Sequence, residues 1–160
     1  MIIRLLETST AFSGIDYNFS KVERGDGVLS NIVAFLIGFP TAGQDVPVSV
    51  HFKRENGGER WTRQFGQRVF ASTMLMGRGR SEWLLCERVG PIDFAQALVV
   101  DADRLRFIPR RWSIFGIPLP LWFAPRVNAY ETEENGRFRF HVNISHPWMG
   151  LIVRYRGWLE

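Results

Sequence analysis

Apolar and polar positions first alternate at 15–20, where Asp16, Asn18 and Ser20 separate Ile15, Tyr17 and Phe19. A period of two predicts a strand with one buried face. Gly25-Asp-Gly27 interrupts it, and Val28–Ile37 then carries apolar residues on nearly every side. Asp26 is placed to cap a helix there, and Gly38 and Pro40 to stop it. A helix apolar all round must be buried, so this N-terminal helix is expected to plug or cover something.

From Val46 onward the period returns to two and stays there. Val48, Val50 and Phe52 alternate with Ser49, His51 and Lys53, and Asn56-Gly57 supplies the positive-φ pair of a tight hairpin. Counting outward from that turn sets Arg54 opposite Glu59 and Phe52 opposite Trp61, both favourable cross-strand pairs. Further strands are predicted over 69–76, 83–89, 92–100, 104–112, 127–133, 137–144 and 151–159, with turns at Gly66-Gln67, Gly77–Arg80, Gly90-Pro91, 101–103, Asn135-Gly136 and 145–150. The sum is about ten short strands whose short connections force antiparallel neighbours. Such a meander closes into a lipocalin-like barrel or, as second choice, folds into a two-sheet sandwich, because an open sheet would leave its edges and one apolar face in water.

Strand parity also places charge on interior faces. Arg63 lies between Trp61 and Phe65, and Glu87 falls in the series Trp83, Leu85, Glu87, Val89. Glu131 faces Phe140 in the hairpin around Asn135-Gly136 and shares a side with Val127 and Ala129. A lone charge there costs several kcal/mol, so these groups must pair or line a wet cavity. One arginine and two carboxylates suggest a cluster of Arg63 with Glu87 or Glu131, joined by Tyr155, with Trp61 beside it. The plainer reading is a salt bridge that fixes barrel register. The functional reading is the polar floor of a ligand pocket in which Arg63 takes a carboxylate or similar head group. Paired carboxylates in acid–base work rank last, since nothing fixes a substrate.

Composition narrows the field. The chain has 160 residues, 46% hydrophobic and 22% charged, which predicts one globular domain over 1–160, with 1–12 peripheral or partly ordered. A net charge of +4 is mild and the signs interleave. Of the 20 basic residues only Lys21 and Lys53 are lysine. A single cysteine, Cys86, makes no intrachain disulfide, and the start is too short and too soon charged for a signal peptide. Neither apolar run, 28–39 nor 114–124, reaches the ~20 residues of a membrane-spanning helix. A cytoplasmic protein is the default.

Several longer motifs carry a resemblance. Gly38-Phe-Pro-Thr-Ala-Gly-Gln-Asp-Val-Pro47, Glu59-Arg-Trp-Thr-Arg-Gln-Phe65, Glu87-Arg-Val-Gly-Pro91, Phe115-Gly-Ile-Pro-Leu-Pro120, Gly136-Arg-Phe-Arg-Phe140 and the stretch from Val153 to Trp158 are similar to the family called domain of unknown function 4166, over roughly 25–160. Members often sit behind a saccharopine-dehydrogenase-like, dinucleotide-binding domain, so the resemblance implies an accessory role beside an oxidoreductase-like partner. It supplies no activity.

Other signals are weaker. Gly25-Asp-Gly-Val-Leu-Ser30 is a faint likeness of a phosphate-cradling loop, better read as a turn and helix start. No His pair lies at metal-ligand spacing, and neither a metal nor a cofactor is predicted. Cys86 is a small buried filler sooner than an activated thiol. Outer faces gather Arg104, Arg106 and Arg110 with Trp112, Arg137 and Arg139 with His141, and Arg154 and Arg156 with Trp158. They read as a solvated surface offset by acids; single-stranded nucleic acid would suit arginine with aromatics, but the modest net charge argues against it. The segment 114–124 is too apolar to stay in water as a connector and is expected to fold over the barrel end as a lid.

These readings converge on a non-catalytic binding domain holding an apolar or acidic small molecule. The contending reading is an interaction module that docks through Phe115, Trp122, Arg154 and Arg156. An enzyme built on the interior cluster comes third.

Overall fold

The period-two segments form strands, and their hydrogen bonding runs in a ring. The computed structural model describes residues 15–55, 57–135 and 137–159. The expectation for 1–12 lies outside them, as do Asn56 and Gly136, one residue of each Asn-Gly turn. In chain order the elements are β1 (Ile15–Arg24), α1 (Val28–Ile37), β2 (Gly43–Glu55), β3 (Gly58–Phe65), β4 (Arg68–Met76), β5 (Leu85–Val89), β6 (Ile92–Asp101), β7 (Arg104–Ile114), β8 (Ile117–Leu119), β9 (Arg126–Glu134), β10 (Arg137–His146) and β11 (Gly150–Leu159). The 11-stranded sheet runs β6-β5-β4-β3-β2-β1-β11-β10-β9-β7-β8, and β7 pairs back onto β6. With β8 a short appendage on β7, the other strands close an antiparallel barrel, and among the described residues no second sheet forms a sandwich. Closure removes the sheet edges that an open meander would expose.

The register is the one that counting outward from the turns predicts. Arg54 pairs with Glu59, Phe52 with Trp61 and Glu131 with Phe140. Phe52 and Trp61 meet edge to face at 4.8 Å between ring centroids. Two hydrophobic clusters fill part of the interior. One joins Val22, Val48, Phe65, Phe70, Val153 and Tyr155, and the other is built on Trp61 and Met74.

Alternating strand directions divide the connections between two ends. The hairpin turns after β2, β6 and β9 and the 77–84 connection after β4, which holds a 3-10 turn at Gly79–Ser81, share one end. α1, the turns after β3 and β5, the segment from β7 to β9 and the turn after β10 share the other, which they cap. At this capped end the wall is split. β9 pairs with β7 only over Arg104–Phe107 of β7, while Trp112–Ile114 of β7 pair with β8 instead. Phe115 and Gly116, both at positive φ (51° and 77°), make the tight turn between β7 and β8.

The helix forms over the predicted residues but is not buried. Only Ser30 and Ala34 are fully enclosed, with Val33 and Ile37 packed against the core, while Val28 and Leu36 are each 76% exposed and Phe35 63%. A helix laid across a barrel end touches it along one stripe, which leaves most of the opposite apolar face exposed; there the Arg68 guanidinium lies 5.0 Å from the Phe35 ring centre. Nor does Asp26 cap it. Gly27 takes the cap position without a side-chain bond, and the Asn31 amide donates to the Gly25 and Gly27 carbonyls. The glycines here are explained by packing: a Cβ at Gly25 would collide with the Leu151 carbonyl on β11.

Arg24 fastens the helix to the barrel. Its Nη1 donates to the carbonyls of Phe39 (3.3 Å) and Pro40 (3.0 Å), and its Nη2 to the Asn31 carbonyl and side chain. Charged donors to otherwise unsatisfied carbonyls are worth about 1.5–3 kcal/mol. Arg24→Ala is therefore expected to lower the unfolding free energy by about 2 kcal/mol in urea titration. A loss below about 0.5 kcal/mol would show that water satisfies those carbonyls equally well.

Candidate functional site

The closed ring leaves a cavity of about 430 Å³ inside the barrel. Its wall is mostly apolar, with Phe70, Met74, Phe94, Val127 and Val142 among its side chains. At the capped end Leu29, Val33 and Ile37 of α1 face it beside Phe123, Trp148 and Met149. The 114–124 segment is thus divided in role. Phe123 points inward, while Phe115 and Trp122 stand 81% and 73% exposed.

A bulge in β7 decides one orientation that parity alone mistakes. Ala95 pairs with Arg111 but Gln96 with Pro109, so Arg110 is the extra residue. Trp112 is thereby turned inward, 5% exposed, and does not share a face with Arg104 and Arg106. Its indole donates to the Pro120 carbonyl at 2.9 Å and stacks near Phe94 and Phe123, which ties the lid segment to the wall.

Arg63, Glu87, Glu131, Tyr155 and Trp61 all stand on the cavity wall. Arg63 lies 3.8 Å from Glu87 across β4 and donates to Ser72 Oγ at 2.8 Å. Its guanidinium sits 5.1 Å from the Trp61 ring centre and 5.3 Å from that of Phe70. Gln96 donates to the other Glu87 oxygen at 3.0 Å. Ser72 and Gln96 complete this network and were not singled out from the sequence. The signal available was the same one that marks Arg63, a polar residue in step with Phe70 and Met74, or with Phe94. Glu59, also on the Trp61 side of β3, accepts from the Trp61 indole at 3.1 Å.

Glu131 is different. Its Oε2 is buried and accepts no hydrogen bond from the described residues, and the rest of the residue is half-buried because it borders the cavity. Burial is the main force on it and raises its carboxyl to about 8; Arg63 pulls it down and Glu87 pushes it up. Tyr155, 7% exposed, is likewise pushed up to about 12 by burial, so its phenol stays protonated. At the capped end His146 accepts from the Trp148 N–H through Nδ1 and lies 3.3 Å from the Phe123 carbonyl through Nε2.

The remaining candidates stand apart from the cavity. Arg154 is bonded to Glu23 at 2.9 Å and Arg139 to Glu134 at 2.8 Å on the outer wall. Arg156 pairs in register with His141, and Arg154 with Asn143, so the arginines of β10 and β11 do not oppose one another. Phe115 and Trp122 lie in the connection from β7 to β9, away from the β11 arginines. Cys86 is half-buried, and burial followed by Asp93 raises its thiol, the opposite of activation. Among the described residues no three His, Cys, Asp or Glu side chains form a metal-holding group, and no helix is long and apolar enough to cross a membrane.

Between its ordinary value of 4.5 and about 8, folded Glu131 holds a proton that the unfolded chain has released. Stability from this group is complete below the lower value and falls as pH rises to the upper, by up to about 1.4 kcal/mol per pH unit. Gln does not titrate, so the stability of Glu131→Gln relative to wild type should increase steadily between about pH 5 and pH 8 in urea unfolding. A difference that is flat with pH would mean that Glu131 ionises as freely when folded as when unfolded.

Residues 20–159 match the family described as "Domain of unknown function (DUF4166)", and the chain belongs to that family. No curated protein matches it significantly. Among solved structures, the crystal structure of zebrafish ileal bile acid-binding protein complexed with cholic acid is similar over 93% of this chain and 98% of that one, at 16% identity and a TM-score of 0.43.

Proposed function

We propose that this member of the DUF4166 family is a binding protein that encloses one apolar or amphipathic small molecule inside its barrel, without acting on it chemically. The observation that carries the reading is the cavity itself: about 430 Å³, walled mostly by aliphatic and aromatic side chains, with Arg63, Glu87 and Glu131 among its few polar ones. Small-molecule sites fall at roughly 300–1,000 Å³ and share this mixture of greasy walls with a few convergent polar atoms. Each CH₂ of a ligand moved from water to such walls gains about 0.8 kcal/mol. Tyr155 and Trp61, beside the charged residues, would contact the ligand near its polar end.

The register-fixing salt bridge remains part of this reading, since the contact of Arg63 with Glu87 spans β3 to β5. It leaves Glu131 unexplained, because a purely structural ion pair needs no third, unpartnered carboxyl beside a void. Ligand entry fits the capped end, where the wall is split between β7 and β9 and where Phe123 and Trp148 lie over the cavity.

Decanol is a suitable first probe. Native mass spectrometry should detect one bound molecule per chain, and saturation should raise the melting temperature; 100-fold excess over Kd corresponds to about 2.7 kcal/mol. Ala129 faces the lumen between Phe107 and Val142, so Ala129→Phe should fill part of the space and weaken binding about tenfold with the fold retained. Failure of decanol and other apolar probes to bind or to move the melting temperature would overturn the reading.

A further inference from the structure

We propose that the polar end of the enclosed ligand is a cationic amine, held by the buried carboxyl of Glu131. The inference rests on the ligand-binding reading above and deepens it.

The first argument is charge balance. Among the described residues on the cavity wall, Arg63 is the sole permanent cation, whereas Glu87 and Glu131 are both acids. Arg63 and Glu87 already answer one another, and each has a further partner, Ser72 for the guanidinium and Gln96 for the carboxylate. The cation is also committed to the faces of Trp61 and Phe70. A ligand carboxylate would therefore enter a cavity whose one positive charge is in use, and would leave a net negative charge among apolar walls. A ligand ammonium does the reverse. With Glu131 ionised, the group becomes two cations and two anions, which is the arrangement that a low-dielectric site tolerates.

The second argument is hydrogen bonding. Glu131 Oε2 is buried and has no donor among the described residues, although the great majority of buried polar atoms find one. An ammonium has donors and no acceptors, so it supplies what this oxygen lacks and asks for nothing that the wall withholds. Neighbouring strands offer it no protein substitute. Glu131 pairs with Leu105 of β7 and Phe140 of β10, both apolar. Among the described residues, where His141 and His146 also line the cavity, the ionisable groups that act on it from elsewhere are Arg63 on β3, Glu87 on β5 and Tyr155 on β11. The last of these stays neutral.

The third argument is that the exchange leaves a proton to be counted. At pH 7 the empty site holds Glu131 largely protonated, burial being the main cause. An ammonium keeps its own proton and displaces the one on Glu131 to solvent, so binding releases close to one proton. Decanol releases none. Decanoate, to stay neutral, would take a proton up.

Decylamine, decanol and decanoate share one hydrocarbon tail and so separate head group from apolar burial. Titration calorimetry of the 160-residue protein at pH 7, in buffers of different ionisation enthalpy, reads both affinity and proton count. The expected result is that decylamine binds at least about tenfold more tightly than decanol and decanoate, with about 0.9 proton released. In Glu131→Gln, checked for folding by circular dichroism, the preference for decylamine over decanol and the proton release should both disappear. Decanoate binding tightest, or decylamine binding with no proton released from the wild type, would overturn the amine assignment and leave the ligand-binding reading in place. No binding by any of the three would overturn both.

Discussion

Closure of one antiparallel sheet on itself is the constraint on which the rest of this protein depends. Once β6 and β7 join the two ends of the meander, each strand residue faces either the lumen or solvent. Period two therefore converts directly into chemistry. The odd positions Trp61, Arg63 and Phe65 of β3 look inward together, and the even ones look out. A bulge is the one local device that changes sides, and Arg110 supplies it at the place where Trp112 must turn in to hold the lid segment.

Inside that ring, charge is treated in two ways. Arg63 and Glu87 are satisfied by each other, by Ser72 and Gln96, and by the flanking aromatic rings. Such a network is tolerable at low dielectric because few of its groups are left without partners. Glu131 is left out of it. Desolvation then makes its neutral form the comfortable one and raises the carboxyl to about 8, so that a countercharge placed beside it would favour the ionised form. The structural pair and the unpaired acid are consequences of one environment.

The two ends of the barrel are unlike. Three hairpin turns and the 77–84 connection lie at one, whereas the other carries a helix, a proline-rich segment and the turn after β10. Arg24 and the Trp112 indole hold the first two of these in place through backbone carbonyls, which are polar anchors under an otherwise apolar cover. The same end has the shortened pairing between β7 and β9.

Much of this was legible in the residues themselves. Alternation located the strands, Asn-Gly dipeptides fixed two registers, and the odd charges in apolar series marked Arg63, Glu87 and Glu131 as inward-facing. Those features are local, set by backbone geometry over two to ten residues, and a sequence records them. It did not record which acid Arg63 would choose, that Ser72 and Gln96 would complete the network, that Trp112 would change faces, or that α1 would be covered on one side only. Each of these depends on which strand becomes whose neighbour after the ring closes and on how much room is left in the middle. The decisive quantity, a carboxyl facing a cavity with no partner, is a property of empty space between residues distant in the chain, and only the tertiary structure contains it.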